Sequence, residues 1–109
     1  MVWEEPIAEP EPALCYLGEY AVTFYCKCEH CCGVWSQYPG CASGVIPTPW
    51  YTCACGPSIP FGTTLYIDGL GYFVCEDRGV PDGMINIFVN NHGEMPAWGL
   101  DYFDIYIVY

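Results

Sequence analysis

At 109 residues the chain has room for one hydrophobic core but not for two ordinary domains. A hydrophobic share of 53% excludes disorder for most of its length. Thirteen acids against two bases give a formal charge of −11, which argues against phosphate backbones and anionic lipid heads as partners and leaves an uncharged glycan or a cationic partner compatible.

The chain opens on a Glu/Pro-rich stretch, EEP, AEP and EP in succession, whose proline density denies it helix and sheet. This acidic linker is taken as residues 1–17, with the folded domain over 18–109. Met1 to Pro6 is acidic rather than apolar, so export would rely on a signal already removed or on another route, such as release of a phage-encoded lysis protein. No run is long enough to span a membrane. Gly18 to Tyr25 alternates as a strand, with Tyr20, Val22 and Phe24 on one face and Ala21, Thr23 and Tyr25 on the other.

Cys26, Cys28, Cys31 and Cys32 then crowd around His30, which are ligand types suited to zinc. Their spacing is not that of a zinc ribbon, and Cys15, Cys41, Cys53, Cys55 and Cys75 offer disulfide partners. Disulfides are therefore expected, with no metal and no cofactor. Nine cysteines is an odd number, so at least one thiol is free or intermolecular; the pairing and the oligomeric state are left open. This density belongs to oxidising compartments, and a secreted or cell-wall location is expected. Cys53 and Cys55 share a strand face from which both could reach the Cys-rich loop.

Trp35 to Trp50 is rich in Gly, Pro and Ser and reads as a loop. Trp35, Tyr38, Trp50 and Tyr51 are either a sugar-stacking platform or a lid on the core.

The stretch from Ile59 to Gly99 sets acids among strands and turns. Thr63 to Ile67 and Tyr72 to Cys75 form a hairpin about Asp68 to Gly71, and Glu76 and Asp77 end its second strand. The turn-rich run Arg78 to Gly83 leads into a third strand, Met84 to Val89. Asp77 and Asn86 are thus expected where strands meet this loop, a place where polar groups can face a ligand without burying unpaired charge. Asn90-Asn91 reads as the cap of a short helix from about Gly93 to Trp98, curtailed by Pro96. His92 reads as a structural hydrogen bonder, and Asp104 to Val108 as the last strand.

Several of these segments together resemble a known family. Ile59-Pro60-Phe61-Gly62-Thr63, Glu76-Asp77-Arg78-Gly79, Ile85-Asn86-Ile87-Phe88, His92-Gly93-Glu94 to Trp98-Gly99, the Tyr25 to Gly33 run and Ala42-Ser43-Gly44 are similar, in order and spacing, to the three-aspartate (3D) domain. The resemblance covers roughly Tyr20 to Val108. It implies an all-β fold, a small six-stranded double-psi β-barrel with one or two short helices and disulfide-rich loops. It also implies the chemistry of peptidoglycan lytic transglycosylases, such as the catalytic part of membrane-bound lytic transglycosylase A and stationary-phase wall hydrolases. Peptidoglycan glycan strands are then the partner.

The family's acids map unevenly. The first falls on Gly56 and is missing; the second falls on Asp77 and is present; the third, the general acid and base, falls on Asn86. An amide has no proton to give at any relevant pH. Asn86 is either native to a branch that kept only binding or a substitution in an active parent. The implied site is Asp77 and Asn86 at the catalytic positions, with Glu76, Arg78, Asp82, Trp35, Tyr38 and Trp50 contacting substrate. Three functions follow: an impaired lytic transglycosylase, a non-catalytic wall-binding module, or a disulfide-rich structural protein.

Overall fold

The structure, a computed structural model, describes residues 13–26 and 40–109. Trp35 and Tyr38, most of the Cys26 to Cys32 cluster and residues 1–12 of the acidic linker lie outside the described residues. The six strands are β1 (Leu14–Tyr25), β2 (Thr52–Cys55), β3 (Thr64–Ile67), β4 (Gly71–Asp77), β5 (Met84–Phe88) and β6 (Asp101–Val108). They close into a barrel in the order β1-β5-β2-β4-β3-β6. The fold is all-β and six-stranded, in line with the sequence reading.

Alternation explains which residues fill the barrel. Leu65 and Ile67 of β3, Phe73 and Cys75 of β4, Ile85 and Ile87 of β5 and Ile105 of β6 are all buried and join one core with Val22 and Phe24 of β1. Each large apolar side chain among them contributes about 1.5–3 kcal/mol on burial, so the inward set dominates stability. The intervening residues, Tyr66, Tyr72, Asn86, Asp104 and Tyr106, point outward by the same period of two.

Local pairing comes from the β3–β4 hairpin, where Leu65 opposes Phe73. The pairings β1 with β5 and β2 with β4 are parallel. Both need the chain to travel far between partners, which is why neither is visible as a hairpin signal in the sequence.

The structure departs from expectation in four places. β1 begins at Leu14, not Gly18, because the strand continues through a register shift between Tyr16 and Gly18. Gly18 takes φ +146 there, a conformation that L side chains rarely adopt, so the glycine marks a bulge and not a strand start. The expected helix is a single 3-10 turn, His92–Glu94, and Pro96 follows it. Asn86 lies in the middle of β5 and not at its junction with the loop.

The fourth departure concerns the cysteines. Cys55 pairs with Cys75 across β2 and β4, inside the barrel, so Cys55 does not reach the Cys-rich loop. Cys53 stays a buried free thiol, and burial chiefly, with Glu76 beside it, pushes its pKa up to about 12.

Candidate functional site

Asp77 and Asn86 are brought together by strand register. Ala54 in β2 is opposite Asp77 of β4 on one side and opposite Asn86 of β5 on the other. Asn86 is in turn opposite Thr23 of β1, so Thr23, Asn86, Ala54 and Asp77 form one row across four strands. Alternation alone would turn Asp77 inward after Phe73 and Cys75. A register shift between Cys53 and Ala54 sets Asp77 opposite Ala54 instead.

Donors converge on the Asp77 carboxylate. The Tyr25 hydroxyl donates to Oδ2 at 2.7 Å, and the Ala42 and Arg78 backbone N–H groups donate to Oδ1, each at 2.9 Å. The group is therefore held in one orientation by β1, by the Ala42-Ser43-Gly44 turn and by its own loop. Ser43 N–H adds a bond to the Glu76 carbonyl at 3.2 Å, which fixes that turn beside the end of β4. Tyr25, Ala54 and Phe88 form a small apolar cluster with Val80 around this row. The Tyr25 and Phe88 rings meet edge to face at 5.4 Å.

Asn86 is tied through its carbonyl oxygen. The Thr23 hydroxyl donates to Oδ1 at 2.9 Å, and among the described residues the amide hydrogens have no acceptor. A carboxyl group in the same place would have nearly the same shape.

Each of the other described sequence candidates has partners of its own. Glu76 accepts the Thr52 hydroxyl at 2.7 Å, and Thr52 is the buried polar residue of β2, so this carboxylate has a structural partner. Arg78 lies over the Phe61 ring at 4.0 Å and against the Cys55 and Cys75 sulfurs at 3.0 and 3.2 Å. Trp50 takes φ +58, unusual for a bulky residue, and is held by its N–H to the Phe88 carbonyl at 2.8 Å and by its indole N–H to Glu94 at 3.3 Å. Its ring packs on Phe24 at 5.4 Å and remains exposed, while Trp98 meets Phe24 edge to face at 5.1 Å.

Asp82 explains the missing side chain at Gly56. A Cβ on Gly56 would lie 2.6 Å from the Asp82 Cα and closer still to its carboxylate, so the loop acid occupies the space of a residue-56 side chain. Ser58 N–H and Oγ–H donate to Asp82 at 3.0 and 2.7 Å. These bonds, the backbone one first, lower the Asp82 pKa below the ordinary 3.8, with Arg78 helping and desolvation opposing. Asp82 is thus a carboxylate near neutral pH and not a proton donor.

His92 keeps a structural place, with Nδ1 at 3.1 Å from the Cys26 sulfur. Among the described residues no group of three or more His, Cys, Asp or Glu could hold a metal ion. No described helix is long and apolar enough to cross a membrane.

Sequence reasoning missed Tyr25, Thr23 and Ser58 as partners of the site. Thr23 and Tyr25 share the outward face of β1, so their co-location was readable, but their contacts with Asn86 and Asp77 span 63 and 52 residues.

No protein-family model matches the chain, and no curated protein matches it in sequence. Among solved structures, the fold is similar to the crystal structure of MltA from E. coli, with a TM-score of 0.55 and 23% identity over 68% of this chain. The matched part makes up 28% of that chain. The fold of this chain is therefore similar to a portion of MltA.

Proposed function

We propose that this chain is a peptidoglycan-directed domain of the three-aspartate type, with a lytic-transglycosylase site whose proton-transfer residue is replaced by Asn86. The observation that carries the reading is the row in which Asp77 and Asn86 face Ala54 from its two sides, on a barrel of MltA-like fold. Two of the segments that resemble the family support the reading, because Glu76-Asp77-Arg78-Gly79 begins at the end of β4 and Ile85-Asn86-Ile87-Phe88 lies in β5. The Cys55–Cys75 disulfide supports an oxidising, extracytoplasmic setting.

The chemistry sets what each residue does. Cleavage of a MurNAc-GlcNAc β-1,4 bond with a 1,6-anhydro product needs a proton delivered to the glycosidic oxygen. The same group then removes the proton of the sugar's 6-hydroxyl as that oxygen closes on C1. One carboxyl group can serve both steps in turn. Asn86 can do neither, and its loss of proton transfer lowers the rate by about 10²- to 10⁴-fold. Its amide can still donate to a sugar oxygen, and Asp77 keeps the Ala42 turn and Tyr25 in register beside it. The exposed Trp50 ring, fixed by Glu94 and by the Phe88 carbonyl of β5, supplies a face for sugar stacking.

The test is co-sedimentation with insoluble peptidoglycan. The native chain is expected in the pellet, and Asn86→Leu, which removes the amide but keeps the bulk, is expected to shift toward the supernatant. Equal pelleting of both, or none of either, contradicts the assignment of this row as the glycan site.

A second reading, a wall-binding module without turnover, is favoured by one observation. Asp82 fills the space of a residue-56 side chain, so an acid could not simply be restored there. Binding without release of muropeptides, even for Asn86→Asp, would establish it.

A further inference from the structure

A second row of side chains crosses the other half of the barrel. Tyr16 of β1 is opposite Tyr106 of β6, Tyr106 is opposite Tyr66 of β3, and Tyr66 is opposite Tyr72 of β4. Successive ring centroids are 5.3, 6.1 and 5.0 Å apart, so the four phenols form one continuous outward band. Tyr16 and Tyr72, at its two ends, are 57% and 52% exposed.

The band is bordered by negative charge. Glu19 and Asp104 are directly opposite each other on β1 and β6, a like-charge pairing that sheets ordinarily avoid. The Tyr16 hydroxyl donates to Asp104 Oδ1 at 2.8 Å, which joins the acids to the ring row. The bond to Asp104, with Glu19 adding its charge, raises the Tyr16 pKa, a sign of the negative field at this end. Among the described residues Arg78 is the sole Lys or Arg, and it is engaged with Phe61 and the Cys55–Cys75 sulfurs. The acids at the band therefore lack a described Lys or Arg of this chain to balance them.

We propose that the band Tyr72, Tyr66, Tyr106 and Tyr16, with Glu19 and Asp104 at its border, is a docking surface for an extended partner peptide carrying lysine or arginine. Charge complementarity selects the cation, because carboxylates and the faces of phenol rings both attract one. The line of mutually tilted rings suits an extended segment, since aromatic-lined surfaces receive such chains without requiring them to fold. An anionic partner is repelled by the same acids.

The test uses fluorescence polarisation of a labelled peptide alternating proline and arginine, with a proline-glutamate peptide as control, on the full chain. The arginine peptide is expected to bind and the glutamate peptide is not, with affinity falling as salt rises. Tyr16→Ser and Tyr72→Ser are each expected to weaken binding about threefold. The double variant Glu19→Gln/Asp104→Asn is expected to remove most of the salt dependence. Unchanged circular dichroism and thermal midpoint show that each variant is folded. Asn86→Leu is expected to leave peptide binding unchanged, which separates this surface from the glycan row.

Equal binding of both peptides, binding unaffected by the tyrosine changes, or no binding by the folded native chain overturns the proposal. So does loss of peptidoglycan co-sedimentation in the tyrosine variants without any peptide binding, which would make the band a glycan face. Loss of a concentration-dependent dimer in those variants, again without peptide binding, would make it a contact between copies of this chain.

Discussion

The Tyr25 hydroxyl donates to Asp77 Oδ2 at 2.7 Å, linking the end of β1 to the end of β4 across the row that contains Ala54 and Asn86. Tyr25 is buried and packs on Phe88, so one side chain both orients the Asp77 carboxylate and closes the apolar cluster beside it. Orientation of Asp77 is thus coupled to packing on the barrel's outer wall.

Tyr25→Phe keeps the ring and removes the hydroxyl. A hydrogen bond to a charged acceptor is worth about 1.5–3 kcal/mol, and a loss of that size is expected in urea unfolding. Peptidoglycan co-sedimentation should weaken in the same variant, because Asp77 loses one of its anchors.

Gly56→Ala places a Cβ against the Asp82 backbone and carboxylate. A destabilisation of about 2 kcal/mol is expected, as for other overpacked sites. Adding Asp82→Ala should relieve only part of it, since the Asp82 N and Cα would lie 2.5 and 2.6 Å from the new Cβ. Full relief in the double variant would show that the backbone approach is not limiting.

Asp82 also predicts a pH dependence. Its folded pKa is lowered, chiefly by the Ser58 bonds, while in the unfolded chain it returns to its ordinary value near 3.8. Its contribution to stability is therefore fully present above that unfolded value and is lost as pH falls through the folded one. Unfolding measured against pH should show a shallower acid limb in Asp82→Asn than in the native chain. An identical limb would contradict the role given to the Ser58 bonds to Asp82.

The Cys55–Cys75 bridge closes a loop with a sequence separation of 20. Chain entropy assigns such a loop about 3 kcal/mol. The Cys55→Ala/Cys75→Ala variant is expected to lose about that much in denaturant titration, and Arg78 loses its sulfur contacts as well.

Much of the barrel could be read from the sequence where contacts are local. The β3–β4 hairpin announces itself through alternation about the Asp68 to Gly71 turn, and β5 through Ile85 and Ile87 flanking Asn86. The start of β1 could not, because the bulge before Gly18 breaks the alternation that marks a strand. Nor could the bridge between Cys55 and Cys75, which depends on the parallel pairing of β2 with β4. Asp77 and Asn86 were recognisable as candidates, but their common neighbour Ala54 carries no chemical signal of its own. The same limit applied to Asp82, whose place over Gly56 depends on a loop packing against another strand.

The most direct test is product analysis of purified peptidoglycan incubated with the native chain and with Asn86→Asp, reading 1,6-anhydromuramic ends by mass spectrometry. Such ends are expected from Asn86→Asp, with at least about 10²-fold fewer from the native chain. Equal yields from both would contradict the assignment of Asn86 to the proton-transfer position, and no ends from a folded Asn86→Asp that still binds the wall would contradict the lytic-transglycosylase reading.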